Sequence, residues 1–461
     1  MAPTRRRSPA LLAAALLTSA CATAFTLAVP AYALPAGCTG TTTAGDDTIT
    51  CTQGIPAGQT LNTLGGNDRV TITGEVAGTL SSGDGNDTIT ISGTTGTTTA
   101  GGVGVSGTVQ SGAGDDTITI SGGTGSTTPG DAAEGGAGVG LDGQVRGGAG
   151  ADRITVRGGD AGPAGHGGAG VFAGAVHGGD PGLASLLDAA DGSDTLQITG
   201  GNGGRAIPDT GHPAGGDGGY AVGAGTVSGG ARADTITLTG GNGADSNGSG
   251  RAGTAGDGVS EGDVYGGGPT PGVLAHEGDD TITITGGNGG TSPSHSFPDR
   301  PGGTAQLSGS VRGDRGNDHI TLTGGNAAPS ADAGAAVLAS LGNPSPTIVE
   351  GGAGADTVAL SAGEGLPTIA GAVFGATVDG GGQVLAGLVD GNDTVTVGTP
   401  EHPNRGKSSS AQFNGGAGND TIMLYGQSDS FTTVTGGLGG NDTCGKESTG
   451  ARFDACENLI P

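Results

Sequence analysis

Tryptophan is absent from the 461 residues, aromatic side chains make up 2% of them, and lysine occurs only at Lys407 and Lys446. Each scarcity excludes something. With so few large aromatic side chains, a conventional globular core of this length is not expected. Without clustered Lys/Arg, phosphate-backbone binding and attraction to an anionic membrane are excluded. Nucleic acid is therefore not a partner. Beyond the N-terminal segment no run approaches the roughly 20 apolar residues of a membrane span. What is present is glycine, 107 residues of it, and a formal net charge of -27. Such a chain needs cations to compact.

The first 33 residues read as a secretion signal. Arg5, Arg6 and Arg7 form a basic start, Ala10 to Val29 is apolar, and Ala31-Tyr32-Ala33 is an A-x-A cleavage site. Thr18-Ser19-Ala20 before Cys21 lacks the aliphatic residue of a lipobox, and Ser8-Pro9 stand where a twin-arginine signal has an apolar pair. Cleavage removes three arginines and no acid, taking the charge from -27 to -30. The expected location is secreted or extracellular, with cell-surface association an option.

One nonapeptide organises the rest. Gly351 to Ala359 reads G-G-A-G-A-D-T-V-A, and close copies run from Ser82, Ser111, Gly147 and Gly415. The last Asp of each copy marks a series: Asp47, Asp68, Asp87, Asp116, Asp152, Asp194, Asp234, Asp280, Asp318, Asp356, Asp393, Asp420 and Asp442. The shortest steps, 19 and 21 residues, equal about one turn of a two-strand roll. After each Asp comes a period-2, β-branched strand such as Thr281-Ile282-Thr283-Ile284, then a loop, then a second short apolar element such as Val105 to Val109. The expected fold is an all-β, right-handed parallel β-helix or β-roll of about 12 coils, ~60 Å long at ordinary strand spacing. The long steps hold Gly-rich insertions, several opening Gly-Gly-Asn (Gly201-Asn202, Gly241-Asn242, Gly287-Asn288), which read as a flexible fringe along one edge. Further insertions fall at 180–190 and 269–276, with a polar loop at 404–410.

The motif resembles the RTX (hemolysin-type calcium-binding) repeat, dispersed here as one copy per coil. That resemblance implies Ca2+ as cofactor. It implies carboxylate ligands at Asp68, Asp87, Asp116, Asp152, Asp356, Asp393 and Asp420, and turn carbonyls such as those of Gly83, Gly112, Gly148, Gly352 and Gly416. The ion would sit between turns of adjacent coils, since calcium takes six to eight oxygens. Arg232 stands in a glycine position, Asp314-Arg315 interrupt another turn, and the turns before Asp194 and Asp280 lack Gly-Gly. Calcium is in doubt at those four coils. The competing reading is a calcium-free solenoid whose Asp side chains cap turns through Asx bonds.

Excluding Cys21, the cysteines form two local pairs, Cys38/Cys51 and Cys444/Cys456, one near each end. Local disulfides are expected because solenoid ends lie far apart; zinc finds little support in the spacings. The expected layout is a signal at 1–33 and a solenoid at 34–461, capped at 34–60 and 436–461.

The functional expectation is a calcium-stabilised structural, adhesive or surface-binding protein, its extracellular ligand unnamed. An alternative is a calcium-free binding module. Thr-x-Thr recurs at Thr48/Thr50, Thr71/Thr73, Thr88/Thr90, Thr117/Thr119, Thr235/Thr237, Thr281/Thr283 and Thr394/Thr396, all outward-facing, as on ice-binding solenoids. Arg153, Gln197, His319, Ala359 and Met423 interrupt it, and threonine is in any case a good exposed strand residue. A polysaccharide-active β-helix enzyme is less favoured. Its basic and aromatic residues are scarce, the histidines are scattered, and no catalytic triad or phosphate loop is defensible, so no catalytic residue is assigned.

Overall fold

A computed structural model describes residues 33–460 apart from 97–99, 129–132, 180–190, 208–213, 248–249, 269–277, 294–298, 340–346, 366–372, 375, 380–390, 407, 439 and 447–449. The signal segment through Tyr32 and the insertions at 180–190 and 269–276 lie outside the described residues. The chain winds as a parallel β-solenoid. Among the described residues, one sheet has 15 strands and a second has 13, in an order that takes alternate strands of the sequence. Each strand thus pairs with its counterpart one coil on, and every sheet-one pairing is parallel except Cys38–Thr39 with Thr48–Cys51 at the N-terminal end.

Alternation explains sheet one. In Thr281–Thr285 the burial alternates, with Ile282 and Ile284 fully enclosed and the threonines outward. The register puts Ile236, Ile282 and Ile320 in one inward column and Leu238, Ile284 and Leu322 in another. Opposite them, Val145, Val176, Val227 and Val264 form the inward column of sheet two. A further column of single bridges runs Val76, Val105, Val139, Val171, Val222, Val259 at the edge away from the acidic turns. Each fully buried Val or Ile contributes about 1.5–3 kcal/mol, so a thin core becomes sufficient when stacking makes it continuous. Gln306 continues the valine column; its Nε2 donates to Gly309 O at 2.8 Å and Ile348 O at 3.1 Å.

Two expectations need correction. The second element of a coil is not the strand Val105–Val109: Val105 is an isolated bridge, and the strand is Thr108–Ala113, running on into the glycine turn. Nor are the Gly-rich insertions a loose fringe. Their outgoing and returning limbs are bonded in series: Gly201 N–H to Gly168 O at 2.8 Å, Gly219 to Gly201 at 2.8 Å, Gly241 to Gly219 at 2.8 Å, Gly256 to Gly241 at 2.8 Å, Gly287 to Gly256 at 2.9 Å, and Gly303 to Gly287 at 2.9 Å. Backbones approach so closely that a Cβ on Gly201 would lie 1.9 Å from Gly159 O. The result is a two-layer glycine slab continuous with the solenoid. The Gly-Gly-Asn asparagines line it, the Asn242 amide donating to Asn202 Oδ1 at 3.0 Å and that of Asn288 to Asn242 Oδ1 at 2.8 Å.

Both local disulfides form, Cys38–Cys51 and Cys444–Cys456. Cys51 and Cys444 occupy inward core positions, so each bridge ties a terminal coil to the end of the core.

Candidate metal centre

The acidic turns share one backbone path. The glycines at their second position take positive φ: Gly83 at 106°, Gly112 at 113°, Gly148 at 115°, Gly352 at 122° and Gly416 at 103°. Glycine is the residue that enters this region without steric cost. Three non-glycine residues nevertheless hold turn positions, Leu64 at 80°, Arg232 at 88° and Asp314 at 76°.

At the end of each turn the Asp side chain folds inward. Asp68, Asp87, Asp116, Asp152, Asp356, Asp393 and Asp420, the predicted ligands, are all buried, and so are Asp194, Asp234, Asp280 and Asp318 from the divergent coils. All belong to one row. Each Asp N–H donates to the carboxylate Oδ1 of the next coil: Asp68 to Asp87 at 2.7 Å, Asp116 to Asp152 at 2.8 Å, Asp152 to Asp194 at 2.7 Å, Asp194 to Asp234 at 2.7 Å, Asp318 to Asp356 at 2.7 Å, and Asp393 to Asp420 at 2.9 Å. These are bonds between coils, unlike the local Asx caps of the competing reading. The last link is one the sequence reading missed: Asp442 N–H donates to Glu457 Oε2 at 2.9 Å. Glu457-Asn458-Leu459 keeps the acid-x-aliphatic pattern, a signal overlooked by following Asp alone.

The second carboxylate oxygen is different. Oδ2 of Asp68, Asp87, Asp116, Asp152, Asp194 and Asp234 is buried with no hydrogen-bond partner. Burial is the main cause that pushes Asp116 up to about 6, Asp152 to about 8, Asp194 to about 9 and Asp234 to about 10, and neighbouring aspartates in the row add to it. Asp191, also buried, joins this cluster. Its Oδ2 accepts the Ala231 N–H at 2.7 Å, and its charge raises Asp152, Asp194 and Asp234.

The residues present fit a hard cation. A Cβ on Gly147 would lie 2.2 Å from Asp152 Oδ2 and 2.3 Å from Gly178 O; on Gly178, 2.2 Å from Asp194 Oδ2 and 2.3 Å from Gly229 O; on Gly229, 2.3 Å from both Asp234 Oδ2 and Gly266 O. A carboxylate oxygen and a carbonyl oxygen of the next coil thus converge on the bare face of a glycine, coil after coil. The carbonyls beside the carboxylates belong to the first turn residue. Those of Gly83 and Gly112, predicted as ligands, point along the stack instead, each 2.0 Å from where the next coil's Cβ would be. Among the described residues no group of three His, Cys, Asp or Glu side chains gathers closely enough to hold a metal by itself, so backbone oxygens have to complete any site.

Outside this inner row runs an exposed one. Asn86 Oδ1 accepts the Asp115 N–H at 3.0 Å, Asp115 Oδ1 that of Ala151 at 2.9 Å, and Asn317 Oδ1 that of Ala355 at 2.9 Å. The register also pairs residues that looked scattered: His177 Nδ1 and Ser228 Oγ are 2.7 Å apart and buried, 51 positions apart in the chain. Burial, with help from Arg146, holds His177 down near 4 and therefore neutral.

Fold and row together define a parallel β-solenoid with an internal aspartate file. No protein-family model matches the chain, and no curated protein matches it. Among solved structures it is similar to a hyperactive, Ca2+-dependent, β-helical antifreeze protein from an Antarctic bacterium, at 18% identity and a TM-score of 0.39, over 89% of this chain and 82% of that one.

Proposed function

We propose that the protein is a calcium-stabilised extracellular solenoid that presents a flat threonine face for surface binding. The observation that carries the calcium reading is the repeated convergence of a partnerless Asp Oδ2 and a backbone carbonyl at the glycines that open successive turns. Carboxylates stacked at strand spacing repel one another, and a divalent ion between the turns offsets that repulsion. Asp152, Asp194 and Asp234 would be among the carboxylates that hold it. Calcium would supply charge neutralisation and cross-linking of adjacent coils. Millimolar calcium should raise the melting temperature and EDTA should lower it markedly, as followed by circular dichroism and calorimetry; an identical melting curve in EDTA and calcium would sink the reading.

A second reading concerns the exposed face. Outward threonines stand in register across sheet one: Thr235, Thr237 and Thr239 pair with Thr281, Thr283 and Thr285, and the last two of these with Thr321 and Thr323. A flat, regular hydroxyl array suits an ordered surface such as ice. Thermal hysteresis in the purified protein would support this, and its absence at millimolar concentration would reject it without touching the calcium reading.

A further inference from the structure

The residue that opens each acidic turn differs between two stretches of the row. Thr63, Ser82 and Ser111 open the turns of Asp68, Asp87 and Asp116, and each is fully buried. Their hydroxyls donate along the stack, Thr63 to Ser82 O at 2.9 Å, Ser82 to Ser111 O at 2.9 Å and Ser111 to Gly147 O at 2.7 Å. From Gly147 onward glycine takes this position, at Gly147, Gly178 and Gly229, with the Asp oxygen and the next carbonyl pressed against its bare face. In the first stretch a Cβ and a hydroxyl fill the corner beside the carboxylate. In the second the two atoms nearest the glycine's bare face are a carboxylate oxygen and a carbonyl oxygen. Oδ2 lacks a hydrogen-bond partner in both stretches, on residues no more than 2% exposed, but in the second, at Asp152, Asp194 and Asp234, it faces a bare glycine.

We propose, resting on the calcium reading above, that the first residue of each turn decides which coils take a divalent cation. The glycine-opened corners of Asp152, Asp194 and Asp234 hold calcium, and the Thr/Ser-opened corners of Asp68, Asp87 and Asp116 do without it. Motif fidelity ranks four of these coils the other way, since the turns of Asp87 and Asp116 are closer to the repeat than those of Asp194 and Asp234. The two rankings concern different things. Fidelity sets whether the backbone can turn; the opening residue sets what the corner contains.

Hydrogen–deuterium exchange of the wild-type mature protein, in calcium chloride and in EDTA, tests this without a variant. Chelation should cost the strands Arg153–Arg157, Thr195–Thr199 and Thr235–Thr239 about tenfold or more in protection, and leave Arg69–Thr73 and Thr88–Ser92 within about twofold. Loss of equal size in both stretches would overturn the selection rule while keeping calcium. No loss anywhere would remove calcium and the rule with it. As a gain-of-site check, Ser111→Gly should make Thr117–Ser121 chelator-sensitive and raise the calorimetric calcium stoichiometry by about one. An unchanged stoichiometry with a folded variant would count against the rule.

Discussion

Glycine dominates two regions of this molecule for two different reasons. In the acidic turns the second and fourth residues need positive φ, and the path accepts exceptions: Leu64, Arg232 and Asp314 sit at 76–88°, closer to the ordinary left-handed well than the 103–122° of the second-position glycines. In the slab, Gly168, Gly201, Gly219, Gly241 and Gly256 carry no positive φ, and what requires glycine is the neighbouring backbone. A turn can relax by tens of degrees around a side chain. A slab limb clamped on both sides by other limbs cannot, because close packing transmits any displacement.

The largest expected effect therefore lies in the slab. Gly201→Ala places a methyl 1.9 Å from Gly159 O and should destabilise by about 3 kcal/mol, seen as a lowered melting temperature. A cost under about 1 kcal/mol would show the slab to be as yielding as the turns. Next comes the row. Asp234→Ala removes the acceptor of the buried Asp194 N–H and should cost about 2 kcal/mol in denaturant titrations, whereas Asp234→Asn keeps an oxygen there and should cost less. Equal losses would mean that charge, not the hydrogen bond, dominates that link. The smallest effect has the opposite sign. Arg232→Gly relieves a non-glycine residue at φ 88° and should stabilise by about 1 kcal/mol; a loss would show that the arginine side chain outweighs the backbone strain.

The same contrast explains what could be read from the chain. Strands such as Thr281–Thr285, the acidic corners and the two disulfides were legible because side chains mark them by period or by type. The inward Asp row was legible in membership; that the backbone still makes the turn where Arg232 and Asp314 break the motif in letters was not. The slab was opaque. Its bonds are backbone to backbone, alternately between the two limbs of one insertion and between limbs on successive coils, and glycine displays no pattern from which partners can be inferred. His177 and Ser228 were opaque for a related reason: only the lengths of the intervening insertions bring them level.

The amide-to-carboxylate links of the Asp row all run in one direction, from each coil to its successor. No winding satisfies its own buried amide, so every winding is finished by the one that follows it. The ends are therefore chemically unlike. At the first, Asp47 Oδ1 accepts from the Thr43 hydroxyl at 3.2 Å, and at the last Glu457 stands in for a further aspartate. A chain ending before Glu457 would leave an amide waiting for an acceptor, and unravelling would start there rather than at the N-terminal disulfide.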